Sequence, residues 1–415
     1  MNAPGSSYSP PLLPRALEAR LEQGLRALPV VVVTGARQTG KSTLVRSLPP
    51  GRDRLYVTLD DLDAQDQAQK APEDLVRRAN RMTLDEVQRS PDLLRAIKRA
   101  VDQDREVGRF ILTGSANLLM MRQVSESLAG RAVYLTLWPL TRREQLGLGQ
   151  TGIWNALLET PCSGWPDLVA NTDAPGESWQ ERVLRGGFPT PSHEMHDARD
   201  RALWFDGYIR TYLERDLLEL SAIDQLMDFR RLMRAASMRV GSLLNQAEIA
   251  RDVTLPPSTA QRYLNLLEIS YQMVRLPAYA VNRTKRLTKS PKVYWNDTAL
   301  ALHLAGEVEP RGAHLENLVF GDLLAWRSGR VPRPEILYWR TSKGAEVDFI
   351  IESGNRLLPI EVKSSRQVRY GDVNHLKVFM HEYADLVSGG LLLYDGVESY
   401  WVAERILAVP WWKVI

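Results

Sequence analysis

The sequence predicts a multidomain α/β protein that begins with a mainly parallel sheet covered by helices on both faces. Three observations lead to this fold class. The chain has 415 residues, whereas an ordinary domain has roughly 100 to 200. Short apolar runs alternate with helical patterns in the first third of the chain, and a second series of strand patterns follows residue 334. Alternating strands and helices are typical of parallel sheets.

Composition excludes several classes of protein. Hydrophobic residues make up 44% and charged residues 25% of the chain, as in globular domains and unlike disordered or collagen-like chains. The single cysteine, Cys162, excludes an internal disulfide and indicates a reducing compartment. The apolar run Val30–Val33 is far too short to span a membrane. Residues 1–14 lack the pattern of a signal peptide, so we expect a flexible tail on a cytoplasmic protein that has no membrane partner.

The first domain is predicted over residues 15–138. Leu17, Leu21, Leu25 and Leu28 have the spacing of a helix. Strands are predicted at 30–33, 55–59, 82–84, 110–113 and 133–137, with a helix at 91–101.

Three further units follow. Residues 139–228 form a helical unit, in which the Pro, Gly, Asn and Asp of 161–179 predict an exposed loop. Residues 229–306 predict three short helices and two strands, at 273–276 and 292–295, in the order of a winged helix-turn-helix. A second α/β domain is predicted over residues 307–415, with strands at 336–339, 347–351, 358–362 and 391–394.

A phosphate-binding motif follows the first strand. The letters G-A-R-Q-T-G-K-S fit the pattern G-x-x-x-x-G-K-[ST] between a strand and a helix. In this pattern the backbone N–H groups surround phosphates, Lys41 reaches the β and γ oxygens, and Ser42 ligates Mg²⁺. The amino-terminal end of the following helix adds positive potential. The sequence therefore predicts a site for ATP and Mg²⁺ that is formed by Gly35, Ala36, Arg37, Gln38, Thr39, Gly40, Lys41, Ser42 and Thr43.

Two adjacent acids, Asp85 and Glu86, end a later strand. Asp85 is predicted to hold the Mg²⁺ shell, and Glu86 is predicted to polarise the attacking water. The alternative is a surface acid pair that caps the strand. The strand pattern at 54–60 lies between the phosphate motif and the acids, which indicates the additional-strand branch of P-loop ATPases.

Polar side chains at the end of the fourth strand have two interpretations. Thr113, Ser115 or Asn117 senses the γ-phosphate, or these residues form an ordinary turn. Arg131 precedes the fifth strand and is a candidate arginine finger, with a plain surface arginine as the alternative. If Arg131 acts in trans, the protein must form a homo-oligomer such as a hexameric ring; if it acts in cis, a monomer suffices.

Six motifs, taken in order, resemble a known family. The stretches G-A-R-Q-T-G-K-S-T, L-D-E-V-Q, F-I-L-T-G-S, L-A-G-R, R-G-G-F-P and Y-L-E-R-D are similar to those of prokaryotic AAA+ ATPases that carry a C-terminal "domain of unknown function 4143". The resemblance covers the chain from about Leu13 onward. It implies an ATPase core, a helical lid, a winged helix and a restriction-endonuclease-like C-terminal domain.

The same resemblance bears on two lid segments. Gly187-Phe188-Pro189 is similar to the Gly-x-Pro element of related signalling ATPases, which implies that Pro189 contacts the adenine; a plain turn proline is the alternative. Tyr212, Arg215 and Asp216 belong to a family signature, for which a lid salt bridge and a phosphate-sensing arginine both remain open.

A basic segment indicates DNA as a partner. Residues 230–292 contain twelve Lys and Arg against three acids, a net charge of +9 in a chain of net charge +3. Such an island is typical of nucleic-acid contacts, although winged helices also join domains or bind proteins. The predicted contacts lie on the second helix of the helix-turn-helix, which is capped by Ser258, and on the basic turn that follows; they are Thr259, Gln261, Arg262, Arg283, Lys285, Arg286 and Lys289.

The last domain carries a candidate nuclease site. Asp348 on one strand and Glu361 and Lys363 on the next share a face, because side chains alternate along a strand. Glu316, on a preceding helix, adds a fourth group. Two or three carboxylates and a lysine are suited to hold Mg²⁺ and activate water for phosphodiester cleavage.

The trio Asp348, Glu361 and Lys363 resembles the PD-(D/E)XK nucleases, and with Glu316 it resembles the archaeal Holliday-junction resolvases. The sequence hypothesis is therefore an ATPase that binds and remodels or translocates on DNA, branched by analogy, and cleaves it with Mg²⁺. The alternative is a slow nucleotide switch whose C-terminal domains bind a nucleic acid or a protein without cleavage.

Overall fold

The computed structural model describes residues 12–48, 54–115, 128–172, 175–211 and 225–415. The first sheet has five parallel strands in the order β2-β3-β4-β1-β5. The strand β4 therefore lies between β1 and β3, as the additional-strand interpretation requires. The strands are β1 (Val30–Thr34), β2 (Leu55–Thr58), β3 (Met82–Asp85), β4 (Phe110–Thr113) and β5 (Ala132–Thr136).

Helices cover both faces of this sheet. Val30 and Val32 point into one core, and Val31 and Val33 point into the other, because successive side chains of a strand alternate. A strand buried on both faces needs a continuous apolar run, which explains the four valines. The helices are α1 (Glu18–Ala27), α2 (Lys41–Arg46), α3 (Leu62–Lys70), α4 (Pro72–Val76) and α5 (Pro91–Gln103).

The helical unit that follows is more compact than the sequence predicts. Trp165 is fully buried, and its indole N–H donates to the Leu157 carbonyl at 3.0 Å. The prediction of an exposed loop at 161–179 is therefore wrong for this part, since a buried tryptophan anchors a short helix there. The helices are α6 (Arg142–Gln145), α7 (Trp154–Glu159), α8 (Trp165–Ala170), α9 (Trp179–Arg185) and α10 (Ala198–Tyr208), with a π-helical turn at Thr190–Glu194.

The basic segment has three helices and a two-stranded antiparallel sheet. They are α11 (Leu226–Ser237), α12 (Gln246–Asp252), α13 (Pro257–Ile269), β6 (Met273–Leu276), α14 (Arg283–Thr288) and β7 (Lys292–Trp295). The predicted strands are confirmed, but the connection between them contains α14 instead of a simple basic turn. Ser258 lies inside the first turn of α13, and Pro256 takes the cap position.

The last unit is a six-stranded mixed sheet in the order β12-β13-β11-β10-β9-β8. Two of these strands, β12 and β13, have no counterpart in the predicted pattern. The elements are α15 (Thr298–Ala305), α16 (Gly312–Ser328), β8 (Glu335–Arg340), β9 (Glu346–Ser353), β10 (Arg356–Lys363), α17 (Asn374–Glu382), β11 (Gly390–Tyr394), β12 (Tyr400–Ala403), β13 (Ile406–Pro410) and α18 (Trp411–Val414).

One hydrophobic core joins three of the predicted units. It includes Trp154 from the helical unit, Leu264 from α13, and Phe320 and Trp411 from the last unit. The units after the first sheet are therefore packed against one another. In the described part of the chain, no helix is long and apolar enough to cross a membrane.

Candidate nucleotide site and C-terminal acid cluster

The P-loop follows β1 and turns sharply into α2. Gly35 has φ +148°, and a Cβ there would lie 2.3 Å from the Leu137 carbonyl oxygen, so only glycine fits. Gly40, with φ +91°, begins the turn into α2. The N-terminus of α2 therefore points its N–H groups into the loop, where phosphate oxygens bind in such motifs.

Lys41 is buried inside this loop. Its ammonium donates to the carbonyl oxygens of Ala36 and Gly35 at 2.8 and 3.2 Å. Burial lowers the pKa of Lys41 to about 8, while the carboxylates of Glu86 and Asp85 act in the opposite direction. A phosphate bound beside the ammonium would raise the pKa of Lys41 and stabilise its charged form further. Ser42, the second residue of α2, is half-buried beside it.

The acid pair lies at the end of β3. Asp85 is buried, and its two carboxylate oxygens accept hydrogen bonds from the hydroxyls of Tyr56 and Thr113. Burial and the bond to Asp85 raise the pKa of Tyr56 to about 12, so the phenol remains a donor. Thr113 thus positions Asp85 in this structure, a role that the sequence did not indicate.

Glu86 adopts a left-handed backbone conformation, with φ 57° and ψ 42°. A residue other than glycine in this region is uncommon and marks a functional or structural constraint. The Gln88 amide donates to the Glu86 carboxylate, and the Ser115 hydroxyl lies 3.4 Å from the same oxygen. Glu86 is therefore held at the edge of the sheet where the P-loop also lies. Asn117 is outside the described residues, as are Tyr212, Arg215 and Asp216.

A cavity of about 530 Å³ opens beside the P-loop. Its walls include Gly40 and Leu44 on one side and Pro189 and His193 on the other, and residues 12–15 close a third side. The turn that leads into Pro189 is fixed by the buried Asp297 carboxylate, which accepts hydrogen bonds from the backbone N–H groups of Gly187 and Phe188. Residues 12–14, predicted to be part of a loose tail, instead line this cavity.

Arg131 lies far from the P-loop within one chain. It immediately precedes β5, whose first residue pairs with Val30 at the start of β1, whereas the P-loop follows the end of β1. The two sites are thus about 13 to 16 Å apart along the strands. The guanidinium contacts Asp102 at 2.5 Å. An arginine finger that acts in cis is therefore excluded by this geometry, and action in trans stays a prediction.

The predicted DNA contacts are divided between surface and core. Gln261 and Arg262 are exposed on α13, and Thr259 is partly exposed. Arg283, Lys285 and Lys289 are exposed on or beside α14. Arg286 is the exception: it is 7% exposed and pairs with Glu335 at 2.6 Å and with Glu352. The prediction that Arg286 reaches a DNA phosphate is wrong, because its guanidinium joins α14 to the last sheet.

Several other cations of the basic segment are also engaged within the chain. Arg239 pairs with Asp252 and Glu248, and Arg275 pairs with Glu268. The net charge of the sequence segment therefore overstates the positive charge that its surface presents.

The four predicted nuclease residues are brought together by β9, β10 and α16. The Asp348 carboxylate accepts from the Val362 backbone N–H at 3.0 Å, next to Glu361. Lys363 donates to Glu361 Oε1 at 2.7 Å. Asp348 and Glu361 are both buried. The Tyr294 hydroxyl donates to Glu316 at 3.1 Å, which fixes the fourth acid from the side of β7.

Two more residues belong to this acid cluster, which we define as Glu316, Glu346, Asp348, Glu361, Lys292 and Lys363. The Lys292 ammonium lies 2.6 Å from Glu346, 3.1 Å from Asp348 and 3.7 Å from Glu316. Burial, together with the charge of Asp348, raises the pKa values of Glu316 and Glu361 to about 8. Four carboxylic groups thus face two ammonium groups in a site where Lys292, Asp348 and Glu361 are buried and the other three members are partly exposed.

The donor chemistry of the cluster suits a hard cation, but the present arrangement does not enclose one. Within the described ranges, no group of three or more His, Cys, Asp or Glu side chains is arranged to hold a metal ion. Glu361 Oε2 is buried without a hydrogen-bond partner, so one oxygen is available for a further ligand. No sequence motif includes Lys292, but the alternation of side chains in β7, a strand that the sequence predicts, puts Lys292 and Tyr294 on one face.

The chain matches three families in succession. Residues 28–146 match the family described as AAA domain, residues 176–311 match a domain of unknown function (DUF8612), and residues 311–414 match a domain of unknown function (DUF4143). The chain is thus an AAA+ ATPase with a C-terminal DUF4143 domain.

Relatives that match nearly the whole chain show its family. An uncharacterized protein of Mycobacterium tuberculosis and one of Mycobacterium bovis are each 32% identical over 422 residues, which cover 99% of this chain and 86% of theirs. The chain belongs to the family of these mycobacterial proteins. A protein of Haemophilus influenzae is 22% identical over 91% of this chain and 94% of its own. Among solved structures, a Walker-type ATPase of Pyrococcus abyssi has 17% identity and a TM-score of 0.44, covering 71% of this chain and 96% of that one.

Proposed function

We propose that the protein hydrolyses ATP at the P-loop and uses the energy to act on DNA that is bound by α13 and α14. The observation that carries the ATPase part is the position of Asp85 and Glu86, which lie at the same edge of the sheet as the P-loop, with Asp85 fixed by two hydroxyl groups. In-line hydrolysis depends on positioned charge, which this rigid arrangement supplies.

Each residue of the nucleotide site has a role in this proposal. Lys41 contacts the β and γ oxygens, and Glu86 orients the attacking water. Ser42 and Asp85 would hold Mg²⁺, which neutralises phosphate charge when it is bound. The adenine would enter the cavity between α2 and Pro189, whose volume of about 530 Å³ is within the usual range of small-molecule sites.

We further propose that DNA contacts the exposed face of α13 and the exposed cations of α14. Helix α13 follows α12 after a short turn, and the pair is followed by the β6–β7 hairpin, as in a winged helix-turn-helix. In this proposal Gln261 and Arg262, which are exposed, contact base edges or phosphates, and the exposed Lys285 and Lys289 contact phosphates. Oligomerisation through Arg131 would complete the ATP site in trans.

For the C-terminal domain we propose DNA cleavage, supported by the proximity of Glu316, Asp348, Glu361 and Lys363. A divalent cation held by Glu316, Asp348 and Glu361 would lower the pKa of a bound water. In that case Lys363 would orient the nucleophile, since its ammonium already contacts Glu361. The rival proposal is a nucleotide switch that binds its partner without cleavage, and the ammonium of Lys292 among the acids favours it.

The two proposals differ in a cleavage assay. Purified protein is incubated with labelled linear, single-stranded and four-way-junction DNA and Mg²⁺, with and without ATP. Asp348→Ala should abolish cleavage and retain ATPase activity, whereas Lys41→Ala should abolish ATPase activity. If the wild-type protein binds DNA but never cuts it, the nuclease proposal is refuted and the switch is supported.

A further inference from the structure

Lys292 occupies the centre of the acid cluster. It is the first residue of β7, its side chain is 3% exposed, and its ammonium contacts carboxylates from β9 and α16. Lysine is rarely buried to this extent unless it is paired. Three carboxylates around one cation are an arrangement that also suits a divalent metal, although Mg²⁺ needs oxygens at about 2.1 Å.

Glu361, another member of the cluster, has one carboxylate oxygen without a partner. Glu361 Oε1 accepts from Lys363, whereas Glu361 Oε2 is buried and has no partner. A buried carboxylate oxygen without a partner is unfavourable by about 1–3 kcal/mol or more. Lys292 therefore lies near Glu316, Glu346 and Asp348, whereas Glu361 is paired with Lys363 through Oε1 and its Oε2 has no partner.

The backbone around Lys292 is firmly attached. Strand β7 pairs with β6, and the chain after β6 bonds to β8, where the Tyr338 N–H donates to the Pro277 carbonyl at 3.0 Å. The hairpin is thus fixed to the last sheet. The Lys292 side chain, in contrast, has four rotatable carbon bonds, so the ammonium can leave the cluster while the strand stays in place.

We propose that Lys292 is an internal counter-ion that holds the acid cluster in a metal-free form, and that its ammonium and a divalent cation are alternative occupants of one site that includes Glu346. This inference rests on the proposed metal-dependent function of the cluster. In addition, we infer that the metal ion binds only after the Lys292 ammonium has moved away from the carboxylates.

The test measures metal binding without nucleotide or DNA. Mn²⁺, a spectroscopic substitute for Mg²⁺, is titrated into the full chain and the free ion is followed by electron paramagnetic resonance. Lys292→Met should bind one Mn²⁺ at least about tenfold more tightly than wild type, because a full positive charge within about 4 Å is removed from the site. Lys343→Met, the same change at an exposed lysine between β8 and β9, is the matched control and should bind as wild type does.

Asp348→Ala identifies the site of binding. In the Lys292→Met background it should abolish the tight Mn²⁺. If Lys292→Met binds no more tightly than wild type, while the wild-type Mn²⁺ is lost in Asp348→Ala, the counter-ion proposal is wrong and the metal site stands. If neither protein binds Mn²⁺ that depends on Asp348, the metal-dependent function fails as well.

Loss of Lys292 leaves buried carboxylates unpaired, so Lys292→Met has a second readout. Its thermal unfolding midpoint should fall in EDTA and rise on addition of Mn²⁺ by more than that of wild type, because binding to the folded state stabilises it. Lys292→Arg keeps the charge and should show the wild-type response. A midpoint of Lys292→Met that Mn²⁺ leaves unchanged would overturn the proposal.

Discussion

Asp322 offers a quantitative test of how the lid and the C-terminal domain are joined. It lies on α16 and is fully buried, and its Oδ1 accepts hydrogen bonds from the Trp154 indole at 2.6 Å and the Gly152 backbone at 2.8 Å. Burial raises the pKa of Asp322 from 3.8 to about 6, although these two bonds oppose the change.

The sign of the effect on stability follows from linkage. The folded state has the higher pKa, so it binds the proton more tightly than the unfolded state does. The contribution of Asp322 to stability is therefore fully present below pH 3.8 and is lost as the pH rises through about 6. The loss amounts to about 3 kcal/mol, since each pKa unit corresponds to about 1.36 kcal/mol.

Asp322→Asn removes the titration and keeps an oxygen that accepts both hydrogen bonds. The difference in the free energy of unfolding between Asp322→Asn and wild type should increase in favour of the variant by about 3 kcal/mol between pH 3.5 and pH 7. Urea denaturation at a series of pH values measures this difference. The absolute stability of the variant at one pH is not needed for the comparison.

Two controls separate this cause from others. Asp322→Ala also removes the titration, but it leaves the Trp154 and Gly152 donors unpaired and should therefore be less stable than Asp322→Asn by about 2 kcal/mol at every pH. Asp200→Asn, on the exposed side of α10, reports the effect of the same chemical change at the surface. If the difference between Asp322→Asn and wild type stays constant from pH 3.5 to pH 7, the inferred pKa of Asp322 is refuted.

Three other changes test different contacts. Thr113→Val removes a hydrogen-bond donor to Asp85 and should lower the ATPase kcat about tenfold or more, because hydrogen bonds to charged groups contribute about 1.5–3 kcal/mol. Thr113→Ser keeps the hydroxyl and should retain most of the wild-type rate. An unchanged rate in Thr113→Val would refute the positioning role of Thr113. Arg286→Met should destabilise the fold by about 1–3 kcal/mol in urea denaturation, because Glu352 loses the hydrogen bonds of Arg286 and keeps only the more distant contact with Arg283 at 3.8 Å. Lys285→Met should change DNA affinity and its salt dependence but not stability, and equal stabilities of the two variants would contradict a structural role for Arg286. Arg131→Ala mixed with Glu86→Gln should recover ATPase activity if sites are shared between subunits, and no recovery would leave the trans role without support.

Much of the nucleotide site was predictable, because its residues lie in one continuous segment. The glycines of the P-loop and Lys41 act through local backbone geometry, which the spacing of the motif encodes. The strand pattern at 54–60 indicated the additional-strand class, but the order of the strands did not follow from it, since this strand forms the edge of the sheet and β4 lies between β1 and β3. Asp85 could be placed, but its hydroxyl partners could not, because Tyr56 and Thr113 come from two other strands.

The errors share a physical cause, which is contact between distant segments. In the sequence, Arg286 cannot be distinguished from the other cations of its segment, because its partners Glu335 and Glu352 belong to the last sheet. Residues 161–179 have the composition of a loop, and only the burial of Trp165 against other elements makes part of it helical. Arg131 is a different case, because the sequence leaves action in cis and in trans open, and it is the parallel pairing of β5 with β1 that places Arg131 at the end of the strands opposite the P-loop. Lys292 carried a usable signal in the alternation of β7, but its partners lie up to 56 residues away.

The hydrophobic core that the units after the first sheet share limits which fragments of the chain can fold alone and which domains can be exchanged during evolution. Helix α8 lies against β13 and α18, and α9 lies against α16, so a cut between the helical unit and the last domain would expose the apolar faces of both. Such fragments are expected to aggregate instead of yielding an independent ATPase and an independent C-terminal domain. Activities must therefore be separated by point substitutions in the whole chain. For the same reason, a recombination event that exchanged the last domain alone would have to supply matching surfaces on α8 and α9, which favours inheritance of these units as a set.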